Sequence, residues 1–255
     1  MPTIEVGVAP EVGPVEGRFG DTLDITFFVP CYNEEANVLG AIAKLEQAAQ
    51  KLGLSYEILV FDDHSQDRTV EVVKGHQAAN PQSPVRLFVN DVNRGVARNF
   101  FEGAFHARGR YYRLVCGDDI EPIETHEALL LRLGKADVIV PYYTAIAGRP
   151  LHRHALSRLF TWLVNHASGN HLRYYNGCPI YRRFDVLRFH VETTGFGYQA
   201  EFLTRLIHEG RSIIEVPLVS MDREGSGSVN VRNALSVAHS LLKIALRRMR
   251  VYLYD

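Results

Sequence analysis

Acidic side chains follow a short apolar run near the middle of the chain. The run, Tyr111–Cys116, has the length and the β-rich composition of a buried strand. The residues directly after it are Gly117, Asp118, Asp119, Ile120 and Glu121. Carboxylates this close together repel one another unless a cation compensates them, and such oxygen ligands suit Mg²⁺ or Mn²⁺. The stretch therefore predicts either a divalent metal site or a solvated acidic turn before a helix.

Polar turns also follow two strands predicted nearer the amino terminus. Cys31–Glu35 comes after the strand-like run Asp24–Pro30, and Asp62 and Asp63 come after Tyr56–Phe61. In a parallel sheet the carboxyl ends of the strands share one edge, and ligands bind in the crevice at that edge. Because all these polar turns fall at one predicted edge, the sequence favours a ligand site over a solvated loop.

The elements that must position these turns alternate between strand and helix. The helices predicted from apolar periodicity are Ala36–Leu52, Asp67–Ala79, Gly95–Ala107 and Thr125–Gly134. The remaining strands of this part are Val85–Val89 and Ala136–Val140. Alternation at this spacing predicts an α/β fold with a mostly parallel, doubly wound sheet.

The alternating pattern loosens after Pro141, where the chain adds a C-terminal helical elaboration. The elements predicted there are Leu151–Ala167, Cys178–Tyr181, Tyr198–His208, Ser212–Val216 and Asn233–Tyr254. No linker, repeat or low-complexity tract is visible. We therefore predict a loose arm over residues 1–20, one α/β domain over residues 21–230, and a basic amphipathic helix over residues 231–255.

Composition excludes several classes of protein. The 255 residues carry a formal net charge of −1 and are 46% hydrophobic, which is ordinary for a globular protein and gives no basic excess for nucleic acid. Three widely spaced cysteines predict small buried thiols in a reducing compartment. No signal peptide and no apolar stretch of about 18 residues is visible, so we expect a cytoplasmic protein.

Several stretches, taken in order, resemble family 2 glycosyltransferases. They are VPCYNEEANV from Val29, FDDHSQDRT from Phe61, NRGVARNFFEGAFHARGRYY from Asn93, and the later blocks NGCPIYRR, GFGYQAEF and IIEVPLVSMDREGSGS. The later blocks are most similar to the branch that transfers hexoses to polyprenyl phosphates such as dolichyl phosphate. The resemblance implies a nucleotide-sugar-binding GT-A fold and an inverting glycosyltransferase.

The resemblance also implies roles for the residues at matching positions. Residues that would bind the nucleotide-sugar are Pro30, Tyr32, Glu34, Asp62, Asp63 and Asp118. Asp119 and Glu121 would hold Mg²⁺ or Mn²⁺, and the residues that would act in catalysis are Asp118, Asp119 and Arg223. Residues that would bind the acceptor are Arg149, Tyr175, Asn176, Arg182 and Ser226.

Two positions depart from the family pattern. Gly117 stands where the metal motif usually begins with Asp, and Arg173 stands where the branch often has Asp. At the first position, either Asp118 substitutes as a ligand, or metal binding is weakened, or the protein binds nucleotide sugars without efficient transfer. At the second, Tyr175 and Asn176 would face a different acceptor.

The function expected from the resemblance is hexose transfer from a GDP- or UDP-sugar to a polyprenyl phosphate at the membrane surface. The same chemistry on a soluble metabolite or glycan stays open, as does a nucleotide-sugar-binding protein with little turnover.

The C-terminal helix carries an apolar stripe at helical spacing: Leu235, Ala238, Leu242, Ala245, Met249 and Tyr252. Lys243, Arg247 and Arg250 form a basic stripe beside it. This pattern predicts either peripheral contact with the inner face of a membrane or packing on the domain or on a partner subunit, so a homodimer also stays open.

Overall fold

The computed structural model describes residues 23–148, 150–189, 195, 197–221 and 231–254. Its strands are β1 (Leu23–Cys31), β2 (Tyr56–Asp62), β3 (Val85–Val89), β4 (Gly109–Leu114), β5 (Val138–Ala147), β6 (Ile180–Arg182) and β7 (Ile213–Met221). Its helices are α1 (Val38–Lys51), α2 (Thr69–Ala79), α3 (Val96–His106), α4 (Ile123–Leu130), α5 (Leu151–Ser168), α6 (Arg183–Arg188), α7 (Tyr198–His208) and α8 (Val231–Tyr254).

The predicted elements are all present, and most ends lie within a few residues of their predicted positions. The short helix α6 was not predicted, and β5 and β7 both run well past their predicted ends, to Ala147 and Met221. The two strands pair in parallel along almost their whole length, and the hydrogen bonds between them stabilise the additional residues of both. The predicted arm, residues 1–20, lies outside the described residues.

The seven strands form one sheet in the order β3-β2-β1-β4-β6-β5-β7. Strand β1 runs parallel to both β2 and β4, whereas β6 runs antiparallel to β4 and β5. From β1 the chain first adds strands on one side and then crosses to β4 on the other side. This reversal creates a crevice at the carboxyl ends of β1 and β4, where ligands of doubly wound sheets bind.

Helices cover both faces of the sheet, so its central strands are buried on both sides. In β1, Phe27 and Val29 belong to the core on one face, while Phe28 packs into the core on the other. Alternate side chains of a strand point to opposite faces, which explains why this strand is a continuous apolar run. The sheet is therefore a rigid platform beneath the crevice.

One cysteine departs from the sequence prediction of buried thiols. Cys31 is buried and Cys178 is half-buried, but Cys116 is exposed. The prediction failed for Cys116 because β4 ends at Leu114, so Cys116 already belongs to the loop that follows the strand.

The close contact of α3 with the sheet supports a prediction about stability. A Cβ atom added at Gly103 would lie 2.5 Å from Tyr112 Oη and 2.8 Å from Phe28 Cδ2, both in the core. We expect Gly103→Ala to lower the free energy of unfolding by about 1–3 kcal/mol in urea titrations, because the packed rings must shift.

The matched control is Gly75→Ala in α2, where an added Cβ meets nothing within 4 Å. Alanine favours a helix over glycine, so this variant should be more stable by about 0.5–1 kcal/mol. Equal effects of the two substitutions would contradict the packing of α3 described here.

Candidate active site

The carboxyl ends of three neighbouring strands lie side by side in the crevice. Cys31 at the end of β1 is paired with Asp62 at the end of β2, and the Asp63 amide donates to the Cys31 carbonyl at 2.8 Å. On the other side of β1, the Gly117 amide donates to the Pro30 carbonyl at 3.3 Å. The ladder thus brings the polar turns after β1, β2 and β4 to one edge, as the sequence predicted.

The chain just after β4 passes so close to the end of β1 that only a glycine fits at position 117. A Cβ atom at position 117 would lie 2.6 Å from Cys31 Sγ and 3.3 Å from the Pro30 carbonyl oxygen. Any side chain, an aspartate included, would collide with Cys31 unless one of them moved. The departure of Gly117 from the family pattern therefore has a steric reason in this chain.

Negative charge of the crevice acts on the Cys31 thiol. Burial raises the pKa of this thiol, and the negative charges of Asp62, Glu34, Asp118 and Asp67 raise it further. Cys31 itself is buried at the end of β1, where it pairs with Asp62 of β2. The crevice therefore concentrates negative charge around one point, and this field favours a cation or ligand N–H and O–H donors.

One side of the crevice is formed by the turns after β1 and β2. Tyr32 is half exposed, whereas Asp62 and Glu34 are buried. One Asp62 oxygen, Oδ2, accepts from the Ser65 amide at 3.0 Å, but Oδ1 is buried without a hydrogen-bond partner among the described residues. A buried unpaired carboxylate oxygen is costly, so a donor from a ligand would stabilise it.

Side-chain hydrogen bonds hold these two turns together. The Asn33 amide donates to Ser65 Oγ at 2.9 Å, and the Glu34 amide donates to Thr69 Oγ1 at 2.9 Å. Asn33 also accepts from the Gln66 amide at 2.7 Å. These contacts fix the positions of Tyr32, Glu34 and Asp62 before any ligand binds.

Asp63 has a different role from Asp62. Its Oδ1 accepts from the Arg94 amide at 2.8 Å and from Asn90 Nδ2 at 2.9 Å, and its Oδ2 accepts from the Gly95 amide at 2.8 Å. Burial acts to raise the pKa of Asp63, but these hydrogen bonds outweigh it and hold the pKa below its usual value. Both oxygens are thus used to order the loop before α3, so any nucleotide contact by Asp63 would share an occupied acceptor.

The Asp119 carboxylate lies against the first turns of α1. The residue adopts a left-handed backbone with φ of 57°. The Lys44 ammonium lies 2.9 Å from Asp119 Oδ1 and donates to the Asp119 carbonyl at 3.0 Å. A Cβ atom on Gly40 would lie 2.4 Å from Asp119 Oδ2, so the carboxylate rests on the surface of α1. Asp119, which the resemblance assigns to metal binding and catalysis, thus pairs with Lys44 of α1 in this structure.

Glu121 is held by a cation from the strand beneath it. Arg113 has a side chain with no solvent exposure, and its guanidinium donates to Glu121 Oε2 at 2.7 Å. Burial raises the pKa of Glu121, while Arg113 opposes that shift. The other end of Arg113 lies 2.7 Å from His126 Nδ1. Burial and the Arg113 charge lower the pKa of His126 to about 2, so its ring is neutral and Nδ1 accepts this hydrogen bond.

The donor set fits a metal ion that is shared with a ligand. No group of three or more His, Cys, Asp or Glu side chains that could hold a metal occurs in the part of the chain that the structure describes. Asp118 and Glu121 are three positions apart in the turn after β4, and the charge of Asp118 raises the pKa of Glu121. Mg²⁺ is commonly bound by one or two carboxylates plus substrate phosphates, and Mn²⁺ accepts the same oxygen ligands.

The far side of the crevice lies next to β5 and β6. Arg113 Nε donates to the Cys178 carbonyl at 3.3 Å, and half-buried Asn176 lies two residues before it. Tyr143 belongs to β5, and its hydroxyl has a raised pKa, first through burial and then through the charge of Glu121. Tyr143 packs edge-on against Tyr174 with ring centroids 5.4 Å apart. These residues border the Glu121 side of the site.

Two predicted acceptor residues lie elsewhere. Tyr175 is 1% exposed within the core, and its hydroxyl donates to Asn165 at 2.7 Å, so burial removes it from an open groove. Arg182 pairs with Tyr111 near the start of β4 and forms an ion pair with Asp137 at 2.6 Å. Because β6 runs antiparallel to β4, Arg182 lies at the opposite edge of the sheet, which corrects the predicted acceptor set.

Three further predicted residues, Arg149, Arg223 and Ser226, lie outside the described residues. Sequence reasoning also missed several residues that build the site, namely Lys44, Asn90, Arg113 and His126. A signal for Arg113 was visible, since an arginine inside an otherwise apolar strand requires a buried anionic or acceptor partner. Nothing in the sequence marked Lys44, which α1 brings close to Asp119.

The order of the strands and the carboxylates at their carboxyl ends define the class of protein, a glycosyltransferase of the GT-A fold. The structure of mannosyl-3-phosphoglycerate synthase from Rubrobacter xylanophilus is similar to this one, with a TM-score of 0.67 and 15% sequence identity. The similarity covers 91% of this chain and 75% of the synthase chain. A second similar structure is glucosyl-3-phosphoglycerate synthase from Mycobacterium tuberculosis, solved in complex with Mn²⁺, UDP and glucosyl-3-phosphoglycerate. The similarity covers 88% of this chain and 80% of that synthase chain, with a TM-score of 0.64 and 18% sequence identity.

The chain belongs to glycosyl transferase family 2, whose pattern matches residues 26–193. A dolichyl-phosphate beta-glucosyltransferase of Dictyostelium discoideum is 33% identical over 103 residues, which are 38% of this chain and 32% of that protein. An undecaprenyl-phosphate 4-deoxy-4-formamido-L-arabinose transferase of Pectobacterium atrosepticum is 24% identical over 228 residues, 87% of this chain and 67% of that protein. The matched part of this chain thus spans about a third of the first relative's length.

The network around Asp63 supports a prediction about pH. Asp63→Asn replaces one acceptor oxygen with an amide that cannot accept, so we expect it to lower the free energy of unfolding at pH 7 by about 1–3 kcal/mol. Because folding lowers the pKa of Asp63, its contribution is full above about pH 4, the ordinary value, and is lost as the pH falls through the lowered value.

Urea titrations of both proteins at pH 7 and at successively lower pH would measure this difference. The control is Asp91→Asn, an exposed aspartate close to the same loop, which should change stability by less than about 0.5 kcal/mol. A difference between wild type and Asp63→Asn that stays constant down to pH 3 would contradict the assigned role.

Proposed function

We propose that this chain is an inverting glycosyltransferase that moves a hexose from a nucleotide-diphosphate sugar to a polyprenyl phosphate. The observation that carries the proposal is the buried Oδ1 of Asp62, which has no hydrogen-bond partner among the described residues and lies at the same edge of the sheet as the acidic turn after β4. We assign Asp62 to the nucleoside of the donor, and Asp118 and Glu121 to its diphosphate. The crevice at the switch point of the sheet supplies the concave surface between them.

The nucleoside of the donor binds to the turns after β1 and β2. Asp62 Oδ1 accepts from a base N–H, which satisfies the unpaired oxygen. Tyr32 is 50% exposed and offers a ring face at the same place. Both uracil and guanine carry an N–H that suits this acceptor, so UDP- and GDP-hexoses are the candidate donors. Structural neighbours have been solved with UDP and with GDP-mannose, which supports this choice.

Asp118 and Glu121 would hold Mg²⁺ or Mn²⁺, and the ion would supply positive charge to offset the negative charge that grows on the leaving diphosphate. Arg113 holds the Glu121 carboxylate in place through its hydrogen bond, and Lys44 pairs with Asp119. Asp118 is the residue of the acidic stretch that faces the shared field around Cys31. We therefore assign the role predicted for Asp119 to Asp118.

The acceptor phosphate enters from the side of Asn176 and Tyr143. A lipid phosphate is already anionic, so it can attack the anomeric carbon without a general base, and attack opposite the leaving group inverts that carbon. Arg149, Arg223 and Ser226 remain our proposed phosphate contacts, because guanidinium groups match phosphate geometry. The relatives named for transfer to dolichyl or undecaprenyl phosphate support this acceptor class.

A second candidate is the same transfer to a soluble phosphorylated metabolite. Two solved neighbours are named 3-phosphoglycerate synthases, and one was solved with phosphoglyceric acid. Both acceptor classes present an anionic phosphate, so the site chemistry is shared. A direct comparison of acceptors therefore decides between them.

The transfer assay that tests the proposal uses UDP-glucose and GDP-mannose with Mn²⁺, and offers undecaprenyl phosphate, dolichyl phosphate or 3-phosphoglycerate. We expect hexose transfer to a polyprenyl phosphate. Transfer only to 3-phosphoglycerate would favour the second candidate. Binding of a nucleotide sugar without transfer to any acceptor would indicate a binding protein.

Two neighbouring aspartates give a matched pair of variants in this assay. Asp118→Asn should lower kcat by about 10²–10³-fold, because it removes one preorganised electrostatic contact from the reaction centre. Asp119→Asn should leave kcat within about 10-fold of wild type while lowering thermal stability, since Lys44 loses its anionic partner. The opposite ranking of the two kcat values would refute the assignment of Asp118.

A further inference from the structure

The terminal helix α8 packs on the domain through a face that the sequence stripe did not include. Ile244 and Ser240 are buried. Arg247 forms an ion pair with Glu201 of α7 at 3.2 Å, and Arg248 donates to the His166 carbonyl of α5 at 3.0 Å. Part of the predicted basic stripe is therefore used inside the protein, and α8 is a docked element of it.

The docked helix exposes apolar side chains on its opposite side. Leu242 is 58% exposed, Leu246 is 46% exposed and Met249 is 51% exposed. Residues spaced by three and four positions lie on one face of a helix, so these three side chains form a continuous stripe. Packing on the domain thus leaves Ala238, Leu242 and Met249 of the predicted apolar stripe exposed to solvent.

The neighbouring helix α5 exposes a second apolar stripe. Leu159 is 52% exposed and Trp162 is 60% exposed, while Val164 of the same helix is buried in the core cluster that contains Ile244 of α8. Both helices thus turn their buried sides to one core and their apolar stripes away from it. Large apolar side chains exposed together mark an interaction surface. We call these five residues (Leu159, Trp162, Leu242, Leu246, Met249) the α5/α8 surface.

The charges of the two helices indicate what covers this surface. The chain contains 29 acidic residues, yet neither α5 nor α8 contains an aspartate or glutamate. Arg247 and Arg248 contact α7 and α5, and the other basic residues of the two helices are Arg153, Arg158, Arg232, Lys243 and Arg250. An apolar stripe within helices that carry only positive charge is typical of helices that lie in the headgroup region of an anionic bilayer.

A second copy of the chain is a poorer occupant. A two-fold dimer would bring α5 and α8 of both copies together, and neither helix contains an aspartate or glutamate to pair with the other copy's basic residues. We propose that the α5/α8 surface binds an anionic lipid bilayer with Trp162 inserted among the headgroups. The proposal concerns attachment and does not depend on the transfer reaction.

The full chain can be tested without a substrate because Trp162 is its only tryptophan. We expect vesicles of phosphatidylglycerol and phosphatidylcholine to shift the tryptophan emission to the blue and to sediment the protein. Vesicles of phosphatidylcholine alone should bind it at least about 10-fold more weakly, and salt should weaken binding to the anionic vesicles. Absence of a blue shift with anionic vesicles would overturn the proposal.

The variant Leu242→Ser/Leu246→Ser keeps Trp162 as the fluorescent probe. It should weaken vesicle binding by about 10-fold or more, because the two leucine side chains no longer transfer apolar surface from water into the bilayer. The matched control is Phe105→Ser on α3, a side chain that is 70% exposed and does not belong to the α5/α8 surface, which should bind like wild type. Circular dichroism and thermal unfolding would confirm that both variants fold.

Analytical ultracentrifugation separates the competing occupant. A dimer that the leucine variant abolishes, together with vesicle binding unchanged by that variant, would overturn the lipid assignment in favour of a second copy. A monomer with vesicle binding that falls only in the leucine variant supports it. Loss of transfer activity with normal vesicle binding would count against the proposed function alone.

Discussion

The site depends on how closely the end of β4 approaches the end of β1. Gly117 lies against Cys31 with no room for a Cβ atom, and this contact brings the turns after β1, β2 and β4 into one row. Asp62, Glu34 and Asp118 then act on the same thiol. A wider spacing would separate these carboxylates, and the negative field that suits a cation and a nucleoside would be lost. Packing between two strands thus creates the electrostatics of the crevice.

Crowded carboxylates are stable only if cations oppose them, and this chain supplies two of its own. Lys44 neutralises Asp119 from α1, and Arg113 neutralises Glu121 from within β4. Arg113 is fully buried, so removal of its partner would leave an unpaired charge in the core, which costs about 3–5 kcal/mol. The resident cations balance Asp119 and Glu121, and Asp118 contributes to the negative field around Cys31. In the proposed function, the metal and the donor complete this balance.

The sequence predicted the fold well because strand and helix alternation is a local pattern. It also predicted that Asp62 and Asp118 would meet, since parallel strands end at one edge. It did not show that the Asp119 carboxylate lies against α1, because the direction of that side chain depends on the left-handed φ of Asp119 and on contact with Gly40. Likewise, Arg182 was assigned to the acceptor because the antiparallel direction of β6 is not visible in a strand of three residues.

The C-terminal helix shows the same limit on a larger scale. Its apolar periodicity was correctly visible, yet periodicity alone does not tell which of two faces is buried. Packing selected the face of Ser240 and Ile244 and left Leu242 and Met249 exposed. A helix can therefore dock on its own domain and still present an apolar stripe. The alternatives that the sequence left open, packing and surface contact, are compatible in this structure.

The most direct test of the central claim is calorimetric titration of UDP and GDP, with and without Mn²⁺, into the wild-type protein and Asp62→Asn. The account predicts that one nucleotide binds, that Mn²⁺ strengthens its binding, and that Asp62→Asn weakens it by about 10-fold or more, because a hydrogen bond to a charged group is lost. Binding that is indifferent to both Mn²⁺ and Asp62, or no binding of either nucleotide, would contradict it.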